Sequence, residues 1–177
     1  MSLLHSWSSV LDSGGSVRTV FVDFQKAFDR VDHNIVLHKL AQRDVPRFIV
    51  KWMFSFLEGR QQRVKVNDVF SNWTQLVGGM PQGSWLGLLI FLLLIDDLQL
   101  DCLVHKYVDD TTLSELLASG DHKSHMIQHV SQDAWSQANK MIINLNKSKE
   151  MVLGCLAKQP IGLPCTTQSG VISSCLV

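Results

Sequence analysis

Tyr107-Val108-Asp109-Asp110 restricts the possible folds of this chain more than any other stretch. Two adjacent carboxylates follow the short run Leu103 to Val108 and precede Thr111-Thr112-Leu113. β-Branched and aromatic residues on both sides of a polar pair read as a hairpin, with both aspartates at its tip or edge. Like charges this close push one carboxyl towards its protonated form, and a bound divalent cation reverses that preference. Asp109 and Asp110 therefore read as half of a divalent-metal site, with Asp23 as the candidate for the other half. A solvated surface turn is the alternative use of the same residues.

Asp23 earns that place by its neighbours. Val17 to Phe24 reads as a strand, and Thr19-Val20-Phe21-Val22 is β-branched and aromatic without alternation. Such a run suits a strand buried on both faces. Asp23 then lies at its C-terminal end, where a charge is costly without a partner or a metal.

The remaining periodicity surrounds these strands with helices. Leu3 to Leu11 reads as a short helix stopped by Asp12-Ser13-Gly14-Gly15. After a turn at Lys26-Ala27-Phe28-Asp29, Asp32 or Asn34 can cap a helix carrying Ile35, Val36, Leu37 and Leu40. Pro46 opens another helix, with Phe48, Ile49, Trp52, Met53, Phe56 and Leu57 on one apolar face, and Gly59 closes it. Arg60 to Val66, a turn at Asn67-Asp68 and Trp73 to Val77 form a hairpin. Ser84 is a plausible N-cap for the apolar run Leu86 to Ile95, which is too short to span a bilayer and reads as a buried helix to about Leu98. Asp121 starts a helix to about Asn139. Met141 to Asn144 and Glu150 to Leu153 are short extended segments, and an irregular tail is expected over 156–177. This order predicts an α+β fold, an antiparallel sheet with helices packed on one face.

Composition adds limits. The 177 residues, 46% of them hydrophobic, suit one domain with a real core. Net charge is zero, yet Lys26 to Lys65 carries nine Lys/Arg against four Asp/Glu, and Leu92 to Asp121 carries seven Asp/Glu against one Lys. A basic segment beside an acidic one fits a phosphate-binding surface next to a metal site, and equally the ordinary scatter of solvated charge. Cys102, Cys155, Cys165 and Cys175 form no Cys-x-x-Cys, and no signal peptide is visible. A reducing intracellular compartment, cytoplasm or nucleus, is the resulting expectation. His122, His125 and His129 recur at helical spacing and could bind zinc.

Four stretches in series resemble the palm motifs of reverse transcriptases, in particular those of non-LTR (LINE-like) retrotransposons. They are Phe21-Val22-Asp23-Phe24-Gln25-Lys26-Ala27-Phe28-Asp29, Gly79-Met80-Pro81-Gln82-Gly83-Ser84-Trp85-Leu86-Gly87, Tyr107-Val108-Asp109-Asp110 and Asn144-Leu145-Asn146-Lys147-Ser148-Lys149. The resemblance implies a polymerase palm and an RNA-directed DNA polymerase that transfers nucleotides onto a primer 3′ hydroxyl. It implies Asp23 and Asp109 as main ligands of two Mg²⁺ ions, with Mn²⁺ as a possible substitute, and Asp110 as the supporting ligand. Two metals roughly 3.5–4 Å apart stabilise the attacking and leaving oxygens of such an in-line displacement. It further implies that Phe28 packs under the incoming sugar and favours dNTPs, that Gln82 and Gly83 contact template and nucleotide, and that Lys147 assists pyrophosphate departure. Core packing for Phe28, a connector for Gln82-Gly83 and a solvated turn for Lys147 are the bland alternatives. Asp29 is expected to cap a helix. Arg60, Arg63 and Lys65 read either as phosphate contacts or, with more weight, as a solvated hairpin face.

Two departures bear on this resemblance. Leu88 stands where the family pattern usually has proline, so the start of that helix is expected to shift. Tyr107 and Val108 bring the third motif closer to the retroviral form. The expected organisation is a partial palm over 1–155 followed by the tail, with the fingers, thumb and endonuclease of a longer polyprotein outside it. RNA template, DNA primer and dNTPs are the expected partners, no membrane is involved, and such a piece should extend primers poorly alone. A non-catalytic transposon remnant or a nucleic-acid-binding palm module is the rival reading.

Overall fold

The computed structural model describes residues 3–81, 83–121, 123–131, 134–158, 166–167 and 170–176. Gln82 and His122 therefore lie outside the described residues. In chain order the elements are α1 (Leu3–Asp12), β1 (Ser16–Val22), α2 (His33–Gln42), α3 (Arg47–Leu57), β2 (Gln61–Gln62), β3 (Lys65–Val66), β4 (Val69–Phe70), β5 (Thr74–Gln75) and α4 (Trp85–Ile95). Then follow β6 (Leu103–Tyr107), β7 (Asp110–Leu117), α5 (Met126–Ser131), α6 (Ala134–Ala138), β8 (Lys149–Gly154), a 3₁₀ turn (Cys155–Lys158), β9 (Thr166–Thr167), β10 (Gly170–Val171) and β11 (Ser173–Leu176). The chain divides into two compact units: residues 1–25, 98–138 and 142–177 form the first, and 26–97 with 139–141 the second. No helix among the described residues is long and apolar enough to cross a membrane.

The first unit is built on a five-stranded sheet of order β11-β8-β1-β7-β6. β1 pairs antiparallel with β7 and with β8, and β7 pairs antiparallel with β6. The β-branched run predicted to be buried on both faces is the central strand, with Val17, Thr19 and Val20 wholly buried, but Phe21 of that run is exposed. One residue of that strand breaks the apolar pattern. Arg18 is buried and donates from Nε to Glu150 Oε1 on β8 at 2.5 Å. Its Nη1 reaches Ser124 Oγ at 3.0 Å, and Ser124 in turn donates to Glu115 Oε2 at 2.5 Å. An alternating strand pattern cannot announce such a pair, because the partners lie 132 residues apart. α1 packs against the sheet through buried Trp7, whose indole donates to Ser114 Oγ at 3.2 Å.

Two expectations fail here. The helix predicted from Asp121 begins only at Met126, because Asp121 accepts the amide of Lys123 in a local turn, and helical structure is described as the two short segments α5 and α6. The tail expected to be irregular holds β11, which adds to the sheet parallel to β8, with Ile172 wholly buried beside it. Four residues of edge strand are too few to show a period, so only the pairing partner reveals them.

The second unit packs α2 against α3 and α4. Asp32 caps α2 by accepting the amides of Asn34 and Ile35. Asp29, expected to cap, sits instead in the preceding turn, where its amide donates to Lys26 O. The apolar α4 ends against two cations at the C-terminal end of α2, Lys39 in its last turn and Arg43 at its C-cap. Buried Lys39 donates to Leu94 O at 2.7 Å and to Asp97 at 2.6 Å, while Arg43 donates to Leu93 O and pairs with Asp96 at 3.0 Å. Cations are stabilising on the last carbonyls of a helix. Burial still holds the Lys39 ammonium below its usual range, with Asp97 acting against that shift. α4 begins at Trp85 with Ser84 as N-cap, so Leu88 did not displace its start. On α3 only Met53 and Leu57 are buried, whereas Phe48 and Trp52 of its predicted apolar face are exposed.

The charge pairs of the two units make separate predictions. Arg18→Met takes the guanidinium away from the buried Glu150 carboxylate and is expected to cost about 3–5 kcal/mol in urea unfolding. A cost below about 1 kcal/mol would show that the pair is dispensable. Asp32 accepts from Lys140 Nζ at 2.6 Å and from two backbone amides, and chiefly the Lys140 bond holds its carboxyl below the ordinary range. A depressed carboxylate contributes stability that is present above the unfolded-state value and is lost as pH falls through the folded one. Asp32→Asn should therefore flatten the stability profile below about pH 4 and leave its slope near neutrality unchanged.

Candidate active site

In the first unit, three backbone constraints meet at the end of β1. The β1–β7 register runs from Ser16↔Leu117 to Val22↔Thr111, and Asp23 and Asp110 are the residues just beyond that last rung. The β6–β7 hairpin closes with the pair Tyr107↔Asp110, so Val108-Asp109 is its two-residue turn. Val108 has φ +57°. A β-branched residue in the left-handed region is a steric outlier, and such strain collects at functional turns. The hairpin predicted from the sequence is thus present, with Asp109 in its turn and Asp110 on the first rung.

Asp23 is held by the segment that carries the fourth motif. Its carbonyl accepts the amide of Asn144 at 2.7 Å, and its amide donates to the Oγ of wholly buried Ser148 at 3.0 Å. Phe24 bridges Ile143 and packs its ring 6.0 Å from Trp135. Lys147 is exposed in the intervening turn, where its amide donates to Asn144 O at 3.2 Å. Ser148 carries no functional signal of its own in the sequence. Its signal was only its place beside Lys147 in the fourth motif.

The chemistry of the donors fits a hard divalent cation. Asp23 and Asp109 are half-buried, Asp110 is exposed, and among the described residues no side chain pairs with any of the three carboxylates. Oxygen ligands of this kind suit Mg²⁺ or Ca²⁺ rather than a soft metal. The arrangement is open, however: among the described residues no group of three or more His, Cys, Asp or Glu side chains lies close enough to hold an ion. His125 and His129 belong to no such group either, and His125 contributes its amide to Glu115.

In the second unit the turn after the first motif and the loop of the second motif are stitched together. Met80 N donates to Phe28 O at 2.8 Å and Gly79 N to Val31 O at 2.8 Å. Gly79 has φ +81°, and a Cβ there would stand 2.9 Å from Asp29 O, so only glycine fits. Ser84 Oγ accepts from Gly87 N at 3.0 Å and donates to Pro81 O at 3.2 Å, tying the loop to α4. A side chain at Gly87 would stand 2.8 Å from Pro81 O. The loop shelters an apolar pocket of about 540 Å³ lined by Phe28, Pro81, Gly83, Trp85 and Leu88. Phe28 is half-buried and stacks on Phe91 with centroids 4.6 Å apart, so it is both a core contact and a pocket wall. Trp85, 89% exposed at the start of α4, lines the same pocket and was missed in the sequence, where it reads as one more apolar helix residue.

Comparison with known proteins agrees with the four motifs. The model of the family described as "Reverse transcriptase (RNA-dependent DNA polymerase)" matches residues 3–169. The chain is 35% identical over 103 residues to "RNA-directed DNA polymerase from mobile element jockey" of Drosophila melanogaster, covering 52% of this chain and 11% of that protein. It is 34% identical over 87 residues to "Probable RNA-directed DNA polymerase from transposon X-element" of the same organism, covering 49% and 10%. The chain thus spans about a tenth of the length of these relatives. Among solved structures, that of telomerase from Candida Tropicalis with the TWJ fragment of telomeric RNA superposes with a TM-score of 0.62 at 14% identity, over 85% of this chain and 28% of that one. At that identity the likeness concerns the fold, and it agrees with a partial palm of helices and antiparallel sheet.

The strained turn is testable. Asparagine tolerates the left-handed region, so Val108→Asn should stabilise the chain by about 1 kcal/mol in urea unfolding. A loss of stability would show that burial of the Val108 side chain outweighs its backbone strain.

Proposed function

The chain belongs to the reverse transcriptase (RNA-dependent DNA polymerase) family, and we propose that it carries the palm active site of a mobile-element polymerase. The reaction is addition of a dNTP to a DNA primer 3′ hydroxyl, directed by an RNA template. The observation that carries this reading is the β1–β7 register, whose last rung, Val22↔Thr111, leaves Asp23 and Asp110 at the next positions, and among the described residues no cation pairs with either carboxylate.

Members of this family use divalent metal ions. Here Asp23, Asp109 and Asp110 would hold Mg²⁺, with Mn²⁺ as substitute, and the ions would supply positive charge for the attacking and departing oxygens. The chain's own residues do the rest. Ser148 and Asn144 hold the Asp23 backbone from both sides, which limits where its carboxylate can reach. Phe28 closes the floor of the apolar pocket with a flat ring, and a ribose 2′ hydroxyl placed against it would lose its hydrogen bonds. Gly83, with φ +82°, lets the loop backbone approach a bound nucleotide. Gln82, outside the described residues, is assigned to the template contact by its motif alone. Lys147, exposed beside the carboxylate end of the sheet, offers its ammonium to the departing pyrophosphate.

A palm that binds nucleic acid without catalysis is the second reading, favoured by the open arrangement of the carboxylates. Thermal unfolding separates the two. Mg²⁺ or Mn²⁺ at about tenfold over its dissociation constant should stabilise the chain by about 1.4 kcal/mol, and Asp23→Asn or Asp109→Asn should abolish the shift. A shift that is absent in the parent chain, or unchanged in both variants, would overturn the metal site.

A further inference from the structure

The ribbon formed by β2–β5 has a composition and exposure that the active site does not explain. Every residue from 61 to 75 is exposed, so nothing in this excursion contributes to the core. It nonetheless presents Phe70 and Trp73, 47% and 58% exposed. Arg63 is held against both, its Cζ 4.0 Å from the Phe70 centroid and 4.5 Å from that of Trp73. Lys65 Nζ lies 5.4 Å from the Phe70 ring, and Arg60 Cζ lies 5.0 Å from that of Phe56. From Arg60 to Val77 there are three cations and one acid, Asp68.

The ribbon also continues into a cleft. The register pairs Gln62 with Thr74, which places Arg63 and Trp73 on the next positions outward. Arg60 and Gln62 also line a cleft of about 620 Å³ together with Lys26, His33 and one acid, Asp29. His33 is oriented there by a 2.7 Å hydrogen bond between Nε2 and Gly79 O.

We propose that this cleft and the Arg63-Phe70-Trp73 cluster form one seat for single-stranded RNA, bound without metal. Cations that track phosphates, interleaved with aromatic faces on which bases stack, are what a single strand requires. A duplex would hide its base faces from Trp73 and Phe70. The proposal rests on the polymerase reading only for the choice of RNA as the strand.

The test is fluorescence anisotropy of a labelled short oligo(U) titrated with the full chain in EDTA. Trp73→Ala and Arg63→Ala should each weaken binding about tenfold. Arg63→Ala should also lower the salt slope by about one counterion, whereas Trp73→Ala should leave that slope unchanged. Both side chains are on the exposed ribbon, so circular dichroism of the variants should match the parent. Failure of the parent chain to bind oligo(U), parent-like affinity in both variants, or self-association without RNA that Trp73→Ala abolishes would overturn the inference. EDTA keeps the two readings apart. Trp73-dependent binding with no metal-induced thermal shift retains the RNA seat and removes the metal site. Metal stabilisation without RNA binding does the reverse.

Discussion

The antiparallel ladder between β1 and β7 is the constraint on which the rest of the first unit depends. Side-chain direction in a sheet has a period of two, so a slip of one residue would turn Asp23 to the opposite face from Asp110. Seven consecutive pairs from Ser16↔Leu117 to Val22↔Thr111 hold the register against that slip. The pattern of burial strengthens it, because a slip of one residue would replace Leu113, in the core opposite Val20, by Thr112 or Ser114.

A central strand buried on both faces also explains the Arg18–Glu150 pair. Once β1 lies between β7 and β8, Arg18 has no route to water, and its charge needs a partner on an adjacent strand. Such a pair is a poor source of net stability but makes a wrong register expensive, because a slipped strand would strand both charges. Pairing in the middle of the sheet and, among the described residues, carboxylates without a cation at its end are two outcomes of one alignment. The chain neutralises charge where the sheet is closed and leaves it available where the strand ends.

The second unit solves a different problem, holding a glycine-rich loop still. Backbone bonds from Gly79 and Met80 to the preceding turn do this, together with Ser84 at the start of α4 and the contact of Gly87 with Pro81. The glycines at 79 and 87 are there for close approach of backbone to backbone. Lys39 and Arg43 hold the far end of α4. A loop fixed at both ends of its neighbouring helix can present Gly83 and Trp85 to one pocket without help from a rigid side-chain network.

The amino-acid sequence by itself determined the paired aspartates as a hairpin, the buried strand leading to Asp23, the N-caps at Asp32 and Ser84, and the family. Each of these is a local signal: β-branched composition, a capping side chain, or a short motif at fixed spacing. Tertiary structure alone decided that Ser148 and Asn144 hold the Asp23 backbone, that Arg18 is paired with Glu150, that residues 173–176 close the sheet's edge, and that Phe48, Trp52, Phe70 and Trp73 stay exposed. The physical reason is the same in each case. These facts depend on which residue lies across a strand pair or beside a helix face, and sequence separation carries no record of that distance. Amphipathic pattern states that a face is apolar; only the packed chain states whether anything covers it.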